Sequence, residues 1–150
     1  MSEHYILTAE AKHSGISTNI LRSAVMTMCK SDCLRQINFY TTCAKYTDMA
    51  LERLITTEEL LTLLNPLDAT IFCRLLRCDP AMEKMSKIET YDDFKHSKCN
   101  GAIFCVDCGY FDVISSDMEE LHEVKRSIGH EVDVMSICGD IMKERESFLI

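Results

Sequence analysis

The sequence predicts an all-α domain, and three observations carry that expectation. Helix start signals recur along the chain, the apolar residues behind them repeat at helical spacing, and only five Gly and two Pro interrupt 150 residues. A chain of this length with 47% hydrophobic residues is long enough to bury one core. Residues 1–16 are expected as a flexible N-terminal arm and residues 17–150 as a single helical bundle domain.

Ser17 or Thr18 can cap a first helix, whose stripe is Leu21, Ala24, Val25 and Met28. Leu34, Ile37, Tyr40 and Ala44 suggest a second, continuing through Met49 and Leu54. Thr56 with Glu59 has the spacing of a capping box and opens a short helix bearing Leu60, Leu61 and Leu64. Asn65-Pro66 and Asp79-Pro80 each read as an N-cap followed by proline at the first helical position. The first introduces Leu67, Ile71, Phe72, Leu75 and Leu76, and the second Met82, Met85 and Ile88. Thr90 restarts the chain for Tyr91 and Phe94. Ser116 with Glu119 forms another box before Leu121, Val124 and Ile128, which Gly129 ends. Val134, Ile137, Cys138 and Ile141 make the last stripe.

Residues 102–114 (AIFCVDCGYFDVI) admit two readings. Their β-branched and aromatic content, with Asp107-Cys108-Gly109 able to turn, suits a hairpin. A nearly all-apolar helix at the centre of a bundle is the other reading. An isolated hairpin is marginal and no further strands are evident, so the helix is preferred.

A formal net charge of −8, with 16 scattered basic residues, argues against nucleic acid as a partner, since phosphate binding needs clustered Lys and Arg. The N-terminus lacks the apolar stretch of a signal peptide, and no apolar run reaches the roughly 20 residues of a membrane helix. Nine cysteines, an odd number, fit a reducing compartment with free thiols, so a cytoplasmic protein is expected.

No Gly-rich phosphate loop, nucleophile elbow or H-E-x-x-H motif is present, and the chain is not expected to be an enzyme or to carry a cofactor. Acidic pairs such as Asp92-Asp93 and Glu119-Glu120 suit solvated helix faces. One set of residues has the chemistry of a zinc site: His96, Cys99, Cys105 and Cys108. The five residues between Cys99 and Cys105 are too few and too apolar to wrap an ion, so thiols packed as small hydrophobes are the preferred reading.

The segment Asp92–Gly109 resembles, without gaps, the first homology motif of Bcl-2-like apoptosis regulators, particularly the divergent forms of large DNA viruses. Phe94, Gly101 and Ile103 fall on the family's Phe, Gly and Ile. Cys99, Asn100 and Ala102 replace its Asn, Trp and Arg. The resemblance implies a Bcl-2-like helical bundle of seven or eight helices around a central apolar helix. It also implies an inhibitor of apoptosis whose apolar groove binds helices of pro-apoptotic proteins, with a homodimer compatible. The groove would be lined by Leu60, Leu64, Phe72, Leu75, Met82, Met85, Phe94, Gly101, Ala102 and Phe104. Gly101→Glu would block it sterically and spare the fold. The alternatives are a helical adaptor that binds signalling proteins through an outer face, and a small zinc-binding module.

Overall fold

The computed structural model describes residues 4–12, 18–28, 34–42, 46–49, 54–64, 69–78, 88, 90–97, 99–106, 110–129 and 132–139. They form a mixed α/β domain, which overturns the all-α expectation and with it the helical bundle. One antiparallel sheet contains β1 (Tyr5–Ala11), β2 (Leu34–Thr42), β3 (Tyr46–Met49), β4 (Leu54–Ile55), β5 (Ala69–Cys78), β6 (Cys99–Val106), β7 (Tyr110–Ser115) and β8 (Val132–Gly139). Its order is β3-β2-β5-β6-β7-β1-β8, with β4 pairing beside β3 on β2. Among the described residues the helices are α1 (Thr18–Met28), α2 (Thr57–Leu63), α3 (Tyr91–His96) and α4 (Met118–Ile128). None of them is long and apolar enough to cross a membrane.

The corrections share one physical cause. Residues 5–11, expected in a flexible arm, are an inner strand hydrogen-bonded to β7 on one side and β8 on the other. Of the stripe read from Leu34 to Leu54, the described residues are in β2, β3 and β4, and Ile71, Phe72, Leu75 and Leu76 of the next are in β5, while Ala44 and Leu67 lie outside the described residues. Ile37, Phe39, Tyr40, Thr41 and Thr42 are β-branched or aromatic, types that lose rotamer freedom against a helical turn but suit a pleated strand. The supposed central helix at 102–114 is the pair β6–β7, registered by Ile103 opposite Val113 and Phe104 opposite Asp112. The last stripe is β8. A dense apolar run contains i, i+3 and i+4 matches whether it is helical or extended, so spacing alone cannot separate the two.

Local signals at several helix ends are better guides. Thr56 caps α2, its hydroxyl accepting from the Glu59 amide at 3.2 Å. Thr90 and Asp93 complete a capping box on α3, each side chain accepting from the other's backbone at 3.1 Å. The start expected at Ser116 shifts by one residue, because Asp117 is the N-cap of α4. Gly129 ends α4, donating its amide to the Lys125 carbonyl at 2.8 Å.

Because β6 and β7 are covered on both faces, the core divides in two. On one face α1, α2 and α4 bury Leu21, Val25, Leu60, Leu121 and Val124 against Leu7, Leu75, Ile103, Phe111 and Val113. On the other, Tyr91 and Phe94 of α3 pack with Ile88 over Ile6, Leu76, Ala102, Phe104 and Ile114. Strand alternation does the sorting: Ile103 and Cys105 belong to the first cluster, Ala102 and Phe104 to the second.

Phe111 is wholly enclosed, whereas Met26 on α1 is 57% exposed. Phe111→Ala is expected to lower the unfolding free energy in urea by about 3–5 kcal/mol. Met26→Ala should stay within about 0.5 kcal/mol of the parent.

Candidate functional site

A single row of residues crosses the sheet near one end. Tyr5 pairs with Gly139 and Ser115, Ser115 with Gly101, Gly101 with Arg77, Arg77 with Arg35, and Arg35 with Ile55. Helix α4 starts just after Ser115 and α2 just after Ile55, so both begin at this end. The C-terminus of α1, at Met28, also reaches this end, where its carbonyl meets Arg77.

Arg77 is the hub. Its Nε donates to Asn100 Oδ1 at 2.8 Å and Nη2 to the Asn100 carbonyl at 3.0 Å. Nη1 reaches the Met28 carbonyl at the end of α1 at 2.6 Å and Glu120 Oε2 on α4 at 2.8 Å. The two charged side chains are only 11% and 20% exposed. A cation at the C-terminus of α1 and a carboxylate in the first turn of α4 each complement the local helix dipole. Glu120 also accepts from Ser115 Oγ at 2.7 Å, and that hydroxyl accepts the Asp117 amide at 3.0 Å. Serine beside glutamate has the composition of an activated nucleophile. Ser115 is nevertheless 0% exposed, so this hydroxyl serves the strand-to-helix turn.

Outside the hub, the described exposed charges of the helical layer at this end are carboxylates. Glu58 and Glu59 on α2, with Asp117 and Glu119 at the start of α4, are exposed. Thr56, Glu58, Glu59 and Thr62 line a shallow, open hollow. The basic residues of α4, Lys125 and Arg126, stand at its opposite end. Charge is therefore segregated along the helical layer. Arg22 of α1 ties α2 down by donating to the Leu61 carbonyl and, at 2.7 Å, to the Leu64 carbonyl.

On the opposite face, His4 is 6% exposed and its Nδ1 lies 3.1 Å from the Tyr91 hydroxyl. Burial, assisted by the nearby positive charge of Lys95, holds its pKa below 6.5. Asp112 is buried on the same face, in the row of Phe104 and Thr8.

The residues expected to line one groove are divided between two cores. Leu60, Leu64 and Leu75 lie under the helical layer, while Phe94, Ala102 and Phe104 lie beneath α3 on the other face. Phe72 is in β5, and Met82 and Met85 fall outside the described residues. With a strand where the central helix was expected, these residues do not form a common cleft. Gly101 is buried, and its role differs from the one expected. A Cβ there would stand 2.9 Å from Met28 Cε and 3.0 Å from Arg77 Cζ, so the missing side chain makes room for the guanidinium. The zinc candidates separate too: Cys99 belongs to the α3-side cluster and Cys105 to the helix-side cluster, while His96 is exposed. Opposite faces of one sheet cannot supply two ligands to one ion, and Cys108 is outside the described residues.

Arg77, Ser115 and His4 were not singled out in the sequence, and Glu120, expected on a solvated helix face, is instead paired with Arg77. Their one available signal was a charge within an apolar run, as in Leu75-Leu76-Arg77, which calls for a partner when buried.

A family model described as a protein of unknown function (DUF2691) matches residues 27–144, more than half of the chain. The chain belongs to the DUF2691 family. The match takes in the Arg77 hub from Met28 to Glu120, whereas β1 and most of α1 precede it. No curated protein and no solved structure matches the chain significantly. The DUF2691 description names no activity, so the hub and the acidic end of the helical layer are the structural basis for a functional reading.

Because Arg77 is held by four hydrogen bonds, a methyl group at Gly101 cannot be accommodated by moving the guanidinium freely. Gly101→Ala is expected to cost about 1–3 kcal/mol in chemical denaturation. Gly101→Glu should prevent a stable fold, visible as lost near-UV circular dichroism.

Proposed function

We propose that this DUF2691 protein is a non-catalytic binding domain, and that its partner is a protein with a basic surface. The observation that carries the reading is the exposed acidic end of the helical layer: Glu58, Glu59, Asp117 and Glu119 beside the starts of α2 and α4. A chain of net charge −8 adds a long-range field of the same sign. Such a field speeds encounter with a basic partner and repels acidic ones.

The polar groups at this end favour binding over chemistry. Arg77 and Glu120 neutralise each other at 2.8 Å, and Ser115 is enclosed. What they offer to a partner is rigidity: the hub fixes α4, which carries Glu119, to the sheet, while Arg22 of α1 holds α2, which carries Glu58 and Glu59. Preorganised charges bind with less loss of side-chain freedom than charges on mobile loops.

The reading is tested by reversing the exposed charges and leaving the hub alone. Glu58→Lys, Glu59→Lys and Glu119→Lys together should leave the protein folded, at a cost of about 0.3–1 kcal/mol per site from the first turns of α2 and α4. With partners first identified by crosslinking to the parent protein in its native cell, association measured by surface plasmon resonance should slow by roughly 10-fold or more in the variant. Parent association should also slow as salt rises from low to physiological strength. Partners that bind the reversed variant equally well would contradict an acidic interface.

A further inference from the structure

On the α3 side of the sheet, one residue before Tyr5 of the Arg77 row, His4 is a buried ionisable group with structured surroundings. We propose that it is a proton-operated latch: the neutral imidazole holds α3 against the sheet, and protonation releases α3 and uncovers the apolar face beneath it. Helix α3 has six residues, far below the length that is stable alone, so docking is what maintains it. Its two buried residues are Tyr91 and Phe94, and both meet His4. The imidazole stands edge-on to Tyr91, with centroids 5.8 Å apart, and is tilted over Phe94 at 5.0 Å. The Tyr91 hydroxyl completes the contact at 3.1 Å from Nδ1.

An added proton meets an unfavourable setting. Lys95 lies 5.4 Å from the Tyr91 ring centroid, on the same helix as the rings that enclose His4. The carboxylate of Asp92 is turned to Lys95 at 3.7 Å and His96 at 3.6 Å, and Asp93 closes the capping box with Thr90. On the sheet beneath α3, the residues of its cluster are Ile6, Leu76, Cys99, Ala102, Phe104 and Ile114. Asp112 of β7 and Arg74 of β5 occupy the row of Thr8, four residues along β1 from His4, with the apolar row of Ile6 between. The Phe94 ring attracts a cation, but an imidazolium 6% exposed has surrendered most of its water and faces the charge of Lys95.

The pH window follows from the direction of the shift. Burial first, and Lys95 second, lower the His4 pKa from 6.5, so the released state binds the proton more readily than the docked one. Docking is therefore complete above 6.5 and weakens as pH falls below it.

Amide hydrogen exchange of the full chain tests the latch, with rates corrected for intrinsic pH dependence. Phe94 donates its amide to Thr90 and Ser97 its amide to Phe94, so these two report on α3, while Gly129 reports on α4. Between pH 7.5 and 5.0 the Phe94 and Ser97 amides should exchange at least tenfold faster, with Gly129 unchanged. His4→Gln should flatten that response. Lys95→Gln, on a more accessible position, should diminish it, because without the repulsion the docked imidazole accepts the proton at less cost to docking. No acceleration in the parent protein, an equal acceleration in His4→Gln, an undiminished response in Lys95→Gln, or a parallel loss at Gly129 would each overturn the proposal.

Discussion

The guanidinium of Arg77 is where the sheet and the helical layer are joined by hydrogen bonds. Hydrophobic contact can hold α1 and α4 on the sheet, but it is non-directional and leaves the helices free to slide. Arg77 removes that freedom by contacting the last carbonyl of α1 and the Glu120 carboxylate of α4 from a fixed place on β5. Its bonds to Asn100 extend the same constraint to β6. Two further features depend on it: Gly101 must lack a side chain to admit the guanidinium, and Ser115 can turn β7 into α4 because Glu120 is already oriented. A buried ion pair contributes little when compared with apolar residues of equal volume, yet removing one partner strands the other. The value of this pair is positional.

Around that hub the fold resolves a problem set by its own sequence. Strands β6 and β7 carry apolar residues on both faces and must be covered twice. One cover is the layer of α1, α2 and α4, held by a large core and by Arg22 at the end of α2. The other includes α3, which is short and contributes Tyr91 and Phe94 as its buried residues. The two covers differ in strength for that reason, and the thinner is the one that encloses a buried histidine, His4. The acidic groups follow the same logic. Carboxylates gather in the first turns of α2, α3 and α4 because helix N-termini favour them, and two of those turns open at the same end of the sheet.

Helix ends were legible in the sequence where a side chain closes a local hydrogen bond. Thr56, Thr90 and Gly129 each act within four residues of themselves, and no tertiary partner is needed to see them. Strands were not legible, because pairing joins residues far apart: Tyr5 meets Ser115 and Gly139. Where both faces are buried, the alternation that identifies a strand disappears, and Ala102-Ile103-Phe104-Cys105 reads equally well as one side of a buried helix. The β-branched and aromatic content of that segment is the signal that separates strand from helix there, since spacing is common to both. The helical fold implied by the resemblance of Asp92–Gly109 to the Bcl-2 motif is overturned for the same reason: similar apolar order occurs here on a short helix followed by a strand. The hub itself was hidden, since Arg77, Asn100, Ser115 and Glu120 acquire their meaning only from register across three strands.

A double-mutant cycle on Arg77 and Glu120 measures the central interaction most directly. Arg77→Met, Glu120→Gln and the double variant are compared with the parent protein by urea denaturation at neutral pH and low salt. If the pair joins α4 to the sheet, the coupling energy should be about 1.5–3 kcal/mol, the worth of a hydrogen bond between charged groups. Additivity of the two single losses within about 0.5 kcal/mol would contradict the account and leave apolar packing as what positions the helical layer.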